Sequence, residues 1–287
     1  MTNNSTITTR VRDNSICWNL TMRCNDKCSF CFVNLNSCSE CSIAENKKFV
    51  NLLSRDYGIN KINFTGGEAL LYKDIFELAE YIKKDNSFKL SLVSNAIILD
   101  NARLDKIMNI FDYISFSLDA CSDEEEAKVG RNNRHFTRII SVLDKIKAKG
   151  GFTVKINSMV SSVNAPYIHE LYDRVIAQYD FIDRWKIFRF APLRGEGQKN
   201  GDRYSLTDSL WLQVIDNIGK VAKNSNDKRV EFTGAEIDDY MILDPDGTLK
   251  TSNFEKDEII DNLKRRVAWK NKLSKNLLKF LKKKNHS

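Results

Sequence analysis

Proline is scarce in this chain, three residues in 287, and no stretch approaches the run of about 18 apolar residues that a membrane span requires. The polar opening from Met1 to Arg10 has neither the apolar core of a signal peptide nor the Arg-rich pattern of a transit peptide. A cytoplasmic location is therefore expected. Hydrophobic residues make up 42% of the chain and charged residues 29%, which excludes the disordered and fibrous classes and leaves an ordinary globular protein with a sizeable core. No linker or low-complexity segment divides it. Cysteine is missing from the C-terminal half: all seven fall between Cys17 and Cys121, so a second cysteine-ligated cluster would find no ligands there. Without an export signal, such cysteines are metal ligands or free thiols sooner than a disulfide framework, because the cytosol keeps thiols reduced.

Positive charge is in excess, with a formal net charge of +7, and much of that excess lies between Lys264 and Lys284. There Trp269, Leu273, Leu277, Leu278 and Leu281 recur at helical spacing, which predicts an amphipathic closing helix with a solvated basic face. A weak hold on nucleic acid or anionic lipid is the alternative. No stable nucleic-acid or membrane partner is expected.

Short apolar or β-branched runs alternate with longer amphipathic stretches from residue 16 to 190. Strands are predicted near Ile16 to Met22, Lys61 to Thr65, Lys89 to Ser94, Tyr113 to Leu118, Thr153 to Val160 and Trp185 to Phe190. Helices are predicted near Ala44 to Arg55, Asp74 to Lys84, Asn101 to Ile110, His135 to Lys149 and Ala165 to Gln178. Six such units imply an α/β fold, a partial (βα)6 TIM-like barrel of parallel strands with helices outside. After residue 195 the rhythm changes to a helix at Thr207 to Ala222. A hairpin follows, Tyr240 to Leu243 and Thr248 to Thr251, across Asp244-Pro245-Asp246-Gly247. Residues 1–195 are thus expected to form the barrel, and 196–287 an α+β extension packed on it.

The spacing Cys24-x3-Cys28-x2-Cys31 falls directly after the first strand, where a barrel carries its active-site loops. A structural zinc site and an ordinary cubane cluster each want four protein ligands, so three close thiolates leave one metal position open. Cys38-x2-Cys41 could complete a zinc knuckle but reads more simply as two loop thiols, and Cys17 and Cys121 as small buried residues. Thr65-Gly66-Gly67-Glu68 closes the second strand, with glycines that admit a close ligand and a carboxylate that can accept from an ammonium. Ser94-Asn95, Ser117 with Asp119, and Gly130-Arg131 gather at the same mouth.

Cys-x3-Cys-x2-Cys, with Phe30 and Phe32 around the last cysteine, followed by Gly-Gly-Glu, resembles the radical S-adenosylmethionine (SAM) superfamily. The resemblance implies a [4Fe-4S] cluster on Cys24, Cys28 and Cys31. SAM would be held by Phe30, the Gly66-Gly67 backbone, Glu68, Ser94, Asn95, Ser117 and Arg131. The open iron would take the amino and carboxylate groups of SAM, and one electron would cleave its sulfonium to a 5'-deoxyadenosyl radical.

In three strands the polar residues share one face: Lys61 and Asn63, Lys155 and Asn157, Arg184 and Lys186. The apolar residues between them must meet the helices, which turns the charged set into the barrel. Unpaired cations there would each cost several kcal/mol, so they call for an anion or for internal carboxylates such as Glu68 or Asp119. A triphosphate suits so basic a cleft.

Longer phrases are similar to the viperin family of that superfamily. They are Thr21-Met22-Arg23-Cys24-Asn25, Lys61 to Glu68, Ser91 to Asn95, Gly130-Arg131, Lys155 to Ser158, Arg184-Trp185-Lys186 and Tyr240 to Asp244. The resemblance implies an antiviral nucleotide-modifying lyase that dehydrates CTP, UTP or GTP to the 3'-deoxy-3',4'-didehydro form, a chain terminator. Lys61, Lys155, Arg184 and Lys186 would grip the triphosphate, Asn63 and Asn157 would position phosphate or ribose, and Tyr240 would donate the closing hydrogen. It also implies a monomer, fed electrons by a donor such as flavodoxin or ferredoxin, whose extension covers the nucleotide site. Ala69 and Ala96 depart from the family's usual proline and glycine, and Arg189 and Arg194 leave the base open. The rival reading is a radical SAM enzyme that modifies a peptide.

Overall fold

The computed structural model describes residues 14–35, 38–85, 87–233, 240–252 and 257–267, without the side chains at 224, 240, 252 and 257. Six strands lie side by side in chain order: β1 (Ser15–Thr21), β2 (Lys61–Gly66), β3 (Lys89–Ser94), β4 (Tyr113–Ser117), β5 (Thr153–Val160) and β6 (Ile182–Arg189). Each pairs in parallel with the next. The helices between them are α1 (Ile43–Tyr57), α2 (Ile75–Lys83), α3 (Asn101–Ile110), α4 (Asp123–Val129), α5 (His135–Lys149) and α6 (Glu170–Arg174). This is the α/β partial barrel that the alternating sequence predicts. α7 (Gly195–Lys199), α8 (Gly201–Tyr204) and α9 (Asp208–Asn224) follow β6.

The later strands join the same sheet. β7 (Val230–Thr233) lies parallel beside β6, while β8 (Tyr240–Leu243) lies parallel beside β1 at the other side. β8, β9 (Thr248–Ser252) and β10 (Asp257–Asn262) form an antiparallel meander, giving the order β10-β9-β8-β1-β2-β3-β4-β5-β6-β7. The expected hairpin turn is present, closed by a 2.9 Å bond from the Gly247 N–H to the Asp244 carbonyl, with Gly247 at φ +85. Only the first turn of the expected closing helix, at 263–267, falls within the described residues.

One expected helix is different. Ala165 to Gln178 is a run of turns, then the five residues of α6, then a 3-10 turn at Ile176–Gln178. Pro166 disfavours helix at the residue before it and lacks an N–H. The Asn164 side chain is committed elsewhere, donating to the carbonyls of Met159 and Asp119 at 2.8 and 2.9 Å and accepting from the Ser161 N–H.

Alternation along the strands decides where the core lies. In β5 every second residue, Val154, Ile156, Ser158 and Val160, is buried. Trp18, Phe64 and Phe111 meet edge to face behind the sheet, with 6.0 Å between successive ring centroids. Burying aromatic side chains of this size contributes about 4–6 kcal/mol each before entropy is counted. The apolar faces thus fix the sheet against its helices, and the opposite faces are left for the interior.

Candidate active site

β1 runs out through Met22 and Arg23 into Cys24, Cys28 and Cys31, at the end of the strand where parallel barrels carry their functional loops. Backbone bonds hold this loop from three directions. The N–H groups of Gly67 and Glu68 donate to the carbonyls of Thr21 and Arg23, each at 2.9 Å. The Gly197 N–H donates to the Cys31 carbonyl at 2.8 Å, and the Ser29 N–H to the Gly130 carbonyl at 3.2 Å. The glycine pair after β2 is required by this packing: a Cβ on Gly66 would lie 2.2 Å from the Thr21 carbonyl oxygen, and one on Gly67 2.3 Å from that of Arg23. The close approach expected of a ligand is thus already made by protein backbone.

The three thiols line a cavity of about 580 Å³ that extends down the barrel interior. Phe30, Gly66, Gly67, Glu68, Ser94, Asn95, Ser117 and Arg131 line it too, as do Asn63, Lys155, Asn157, Arg184 and Lys186. Lys61 does not. It opens β2 one pleat repeat before Asn63, is exposed, and stands outside the lining. Tyr240 begins β8, ahead of Ile242 and Asp244, which do line the cavity; its side chain lies outside the described residues.

Glu68 is buried, and its carboxylate accepts from the Leu70 N–H at 3.1 Å, the Ser94 hydroxyl at 3.0 Å and the Asn95 N–H at 2.8 Å. These bonds fix the loops after β2 and β3 to each other. Burial pushes its carboxyl up while the same bonds pull it down. Arg131 donates from Nε to Asp119 at 2.6 Å, lies 4.9 Å above the Phe30 ring, and points Nη1 at the Cys28 sulfur across 3.6 Å. Glu126, which no sequence signal singles out from its acidic helix, is buried behind them and accepts from the N–H groups of Asp119 and Ala120. Burial and the neighbouring Asp119 push its carboxyl up.

The strand faces fall as predicted beyond Lys61, yet their charges are partly met from within. Lys155 lies 3.7 Å from the Tyr113 ring centroid. Arg184 and Lys186 pair with Glu231 on β7, at 3.1 and 3.6 Å, and not with Glu68 or Asp119. Arg189 pairs with Asp208 at 2.7 Å. A further cation in the lining, Lys250, pairs with Asp244 at 2.7 Å, and Asn19 donates to the same carboxylate at 2.8 Å. β7 is too short and too mixed for its carboxylate to stand out in the sequence.

The thiols suit a cluster better than a single ion. Among the described residues no three His, Cys, Asp or Glu converge as one metal ion needs, whereas a cubane takes each cysteine on a separate iron. The Asp26 N–H at 3.4 Å and Asn95 Nδ2 at 3.9 Å face the Cys24 sulfur, and Arg131 faces that of Cys28, so donors are aimed at sulfurs that carry negative charge when bound to metal. Burial drives the Cys28 thiol far up, a shift that bound iron reverses by taking the thiolate. Cys38 and Cys41 are absent from the lining. The Cys41 N–H is bonded to the Pro245 carbonyl at 2.8 Å, beside the β8–β9 turn.

A family model described as the Radical SAM superfamily matches residues 18–175. The chain is 27% identical over 241 residues, 82% of each chain, to an S-adenosylmethionine-dependent nucleotide dehydratase of Thermoplasmatales archaeon (strain ISO4-H5). It is 26% identical over 245 residues to S-adenosylmethionine-dependent nucleotide dehydratase RSAD2 of Siniperca chuatsi, covering 80% of this chain and 66% of that one. In fold it is similar to Streptococcus suis SuiB, solved with the precursor peptide SuiA, at a TM-score of 0.67 and 16% identity. That match covers 85% of this chain, which spans only 63% of SuiB.

Proposed function

Because this chain belongs to the radical SAM superfamily, whose cofactors are a [4Fe-4S] cluster and SAM, we propose that it dehydrates a ribonucleoside triphosphate to its 3'-deoxy-3',4'-didehydro form, a chain terminator used in antiviral defence. The observation that carries the reading is the continuity of one cavity from the thiols of Cys24, Cys28 and Cys31 to Lys155, Arg184 and Lys186. The relatives named nucleotide dehydratases agree with it.

In this reading Cys24, Cys28 and Cys31 hold the cluster. Glu68, the Gly66-Gly67 backbone, Ser94, Asn95, Ser117 and Arg131 bind SAM, with Phe30 packed beneath the guanidinium. Bound together, cluster and SAM supply a 5'-deoxyadenosyl radical within a walled cavity. Lys155, Arg184 and Lys186 grip the triphosphate; Lys61 is left out because it lies outside the lining. Asn63 and Asn157 orient the ribose, so that its C4' hydrogen faces the SAM side and its 3'-hydroxyl can leave as water. Tyr240 would supply the closing hydrogen as an electron to the dehydrating ribose and a proton to the departing hydroxide, which leaves as water, its own radical being reduced by the electron donor; residues 196–287 cover the nucleotide. Among the described residues no helix is long and apolar enough to cross a membrane. The working enzyme is a cytoplasmic monomer reduced by flavodoxin or ferredoxin.

The test is an anaerobic reaction of reconstituted protein, dithionite and SAM with CTP, UTP and GTP separately. Mass spectrometry should find 5'-deoxyadenosine together with one nucleotide that has lost water. SAM cleavage with every triphosphate unaltered would overturn the nucleotide reading and turn attention to peptide substrates.

A further inference from the structure

Glu231 lies beside Lys186 in the parallel register of β6 and β7. One of its oxygens is 3.1 Å from Arg184 Nη1 and the other 3.6 Å from Lys186 Nζ. Arg184 and Lys186 are two residues apart on one strand, so their side chains leave the same face and repel each other. The Glu231 carboxylate reaches both and offsets part of that repulsion, but it does not itself line the cavity into which both cations reach.

Two details separate this contact from a permanent ion pair. The distance from Lys186 exceeds hydrogen-bond range, and Lys186 Nζ also lies 4.9 Å from the ring of Phe188, a wall residue of the cavity. The Glu231 side chain is 41% exposed and that of Arg184 45%, so water screens the pair and its replacement costs little. The pair of Lys250 and Asp244 contrasts with it: 2.7 Å, both partners 15% exposed, and the carboxylate braced by Asn19. That second pair is built to persist.

We propose that Glu231 is an exchangeable counter-ion, which holds Arg184 and Lys186 in place until a polyphosphate enters the cavity and takes both cations over. The proposal rests on the nucleotide reading above. Part of the attraction between the cations and the phosphates is then spent in releasing Glu231. Its removal strengthens binding, whereas loss of a merely structural pair would weaken the protein with or without ligand.

The experiment measures binding of CTP, UTP and GTP to cluster-loaded protein with SAM and no reductant, for wild type, E231Q and E231D, together with thermal midpoints. E231Q is expected to bind about three- to tenfold tighter at low salt, with the gain shrinking as salt rises, and E231D to fall between the two. Without nucleotide E231Q should melt below wild type, and with saturating nucleotide above it. If wild type binds a triphosphate but E231Q binds it no tighter, or if the midpoint shift keeps one sign, the counter-ion role is overturned and the nucleotide reading stands. If neither protein binds any triphosphate, the nucleotide reading falls and this role with it.

Discussion

Arg131 and Asp119 form a 2.6 Å ion pair in which the guanidinium side chain is only 8% exposed and the carboxylate fully buried. The same guanidinium sits 3.5 Å from Glu126, so one cation answers two buried carboxylates. Removing one partner of such a group leaves uncompensated charge in the interior. Arg131→Ala is expected to lower unfolding free energy by about 3–5 kcal/mol, measured by denaturant titration. A loss under about 1 kcal/mol would mean that water reaches the carboxylates and that the site is open on this side.

The two groups of cysteines should separate by colour. Cys28→Ala, purified without oxygen, is expected to lose visible absorbance, bound iron and SAM cleavage together. The double variant Cys38→Ala/Cys41→Ala should retain all three, since neither thiol reaches the cavity lining. Loss of iron in the double variant with retention in Cys28→Ala would reverse the ligand assignment.

His135 gives the fold an acid limit. Its imidazole is buried, its Nε2 donates to the Ser117 carbonyl at 2.8 Å, and burial together with Arg131 pushes its pKa down to about 3. The unfolded chain binds a proton near pH 6.5 that the folded one refuses, so stability is level above that pH and falls below it. The slope approaches about 1.4 kcal/mol per pH unit between the two values. His135→Gln should flatten it, as read from unfolding midpoints at pH 7.5 and 5.5. An equal slope in both proteins would show that other groups set the limit.

Ala96 occupies the left-handed region at φ +59, directly after Asn95. A side chain there is strained, and glycine is not. Ala96→Gly is expected to raise stability by about 1 kcal/mol, with the Asn95 N–H still bonded to Glu68. A loss of stability would indicate that burial of the Ala96 methyl outweighs its backbone strain.

Much of the barrel is legible because its signals are local. Asn101 to Ile110, His135 to Lys149 and Thr153 to Val160 carry one clear period each, and those spans match the structure. Short elements gave no such signal. β7 is four residues, and β10 reads as a polar Asp257–Asn262 whose Ile259 remains 71% exposed. The cysteine spacing and Gly-Gly-Glu stood out because their chemistry is concentrated in a few adjacent positions. Glu231 and Glu126 did not, since what makes each matter is a partner on another element. Alternation along the strands gives the cationic faces, but parity cannot tell how far along a strand the cavity reaches, and Lys61 stands outside its lining.

The pairing of β8 with β1 also has a consequence for a chain made from its N-terminus. Cys17 meets Ile242 in that register, so one edge of the first strand stays bare until its neighbour has emerged. At roughly 5–20 residues per second that wait lasts roughly ten to forty-five seconds. During it the nascent chain offers an unpaired, apolar strand edge just ahead of its three thiols, a place where strands of other chains can add. A chain stopped before Tyr240 would therefore keep that edge of the first strand open to strands of other chains.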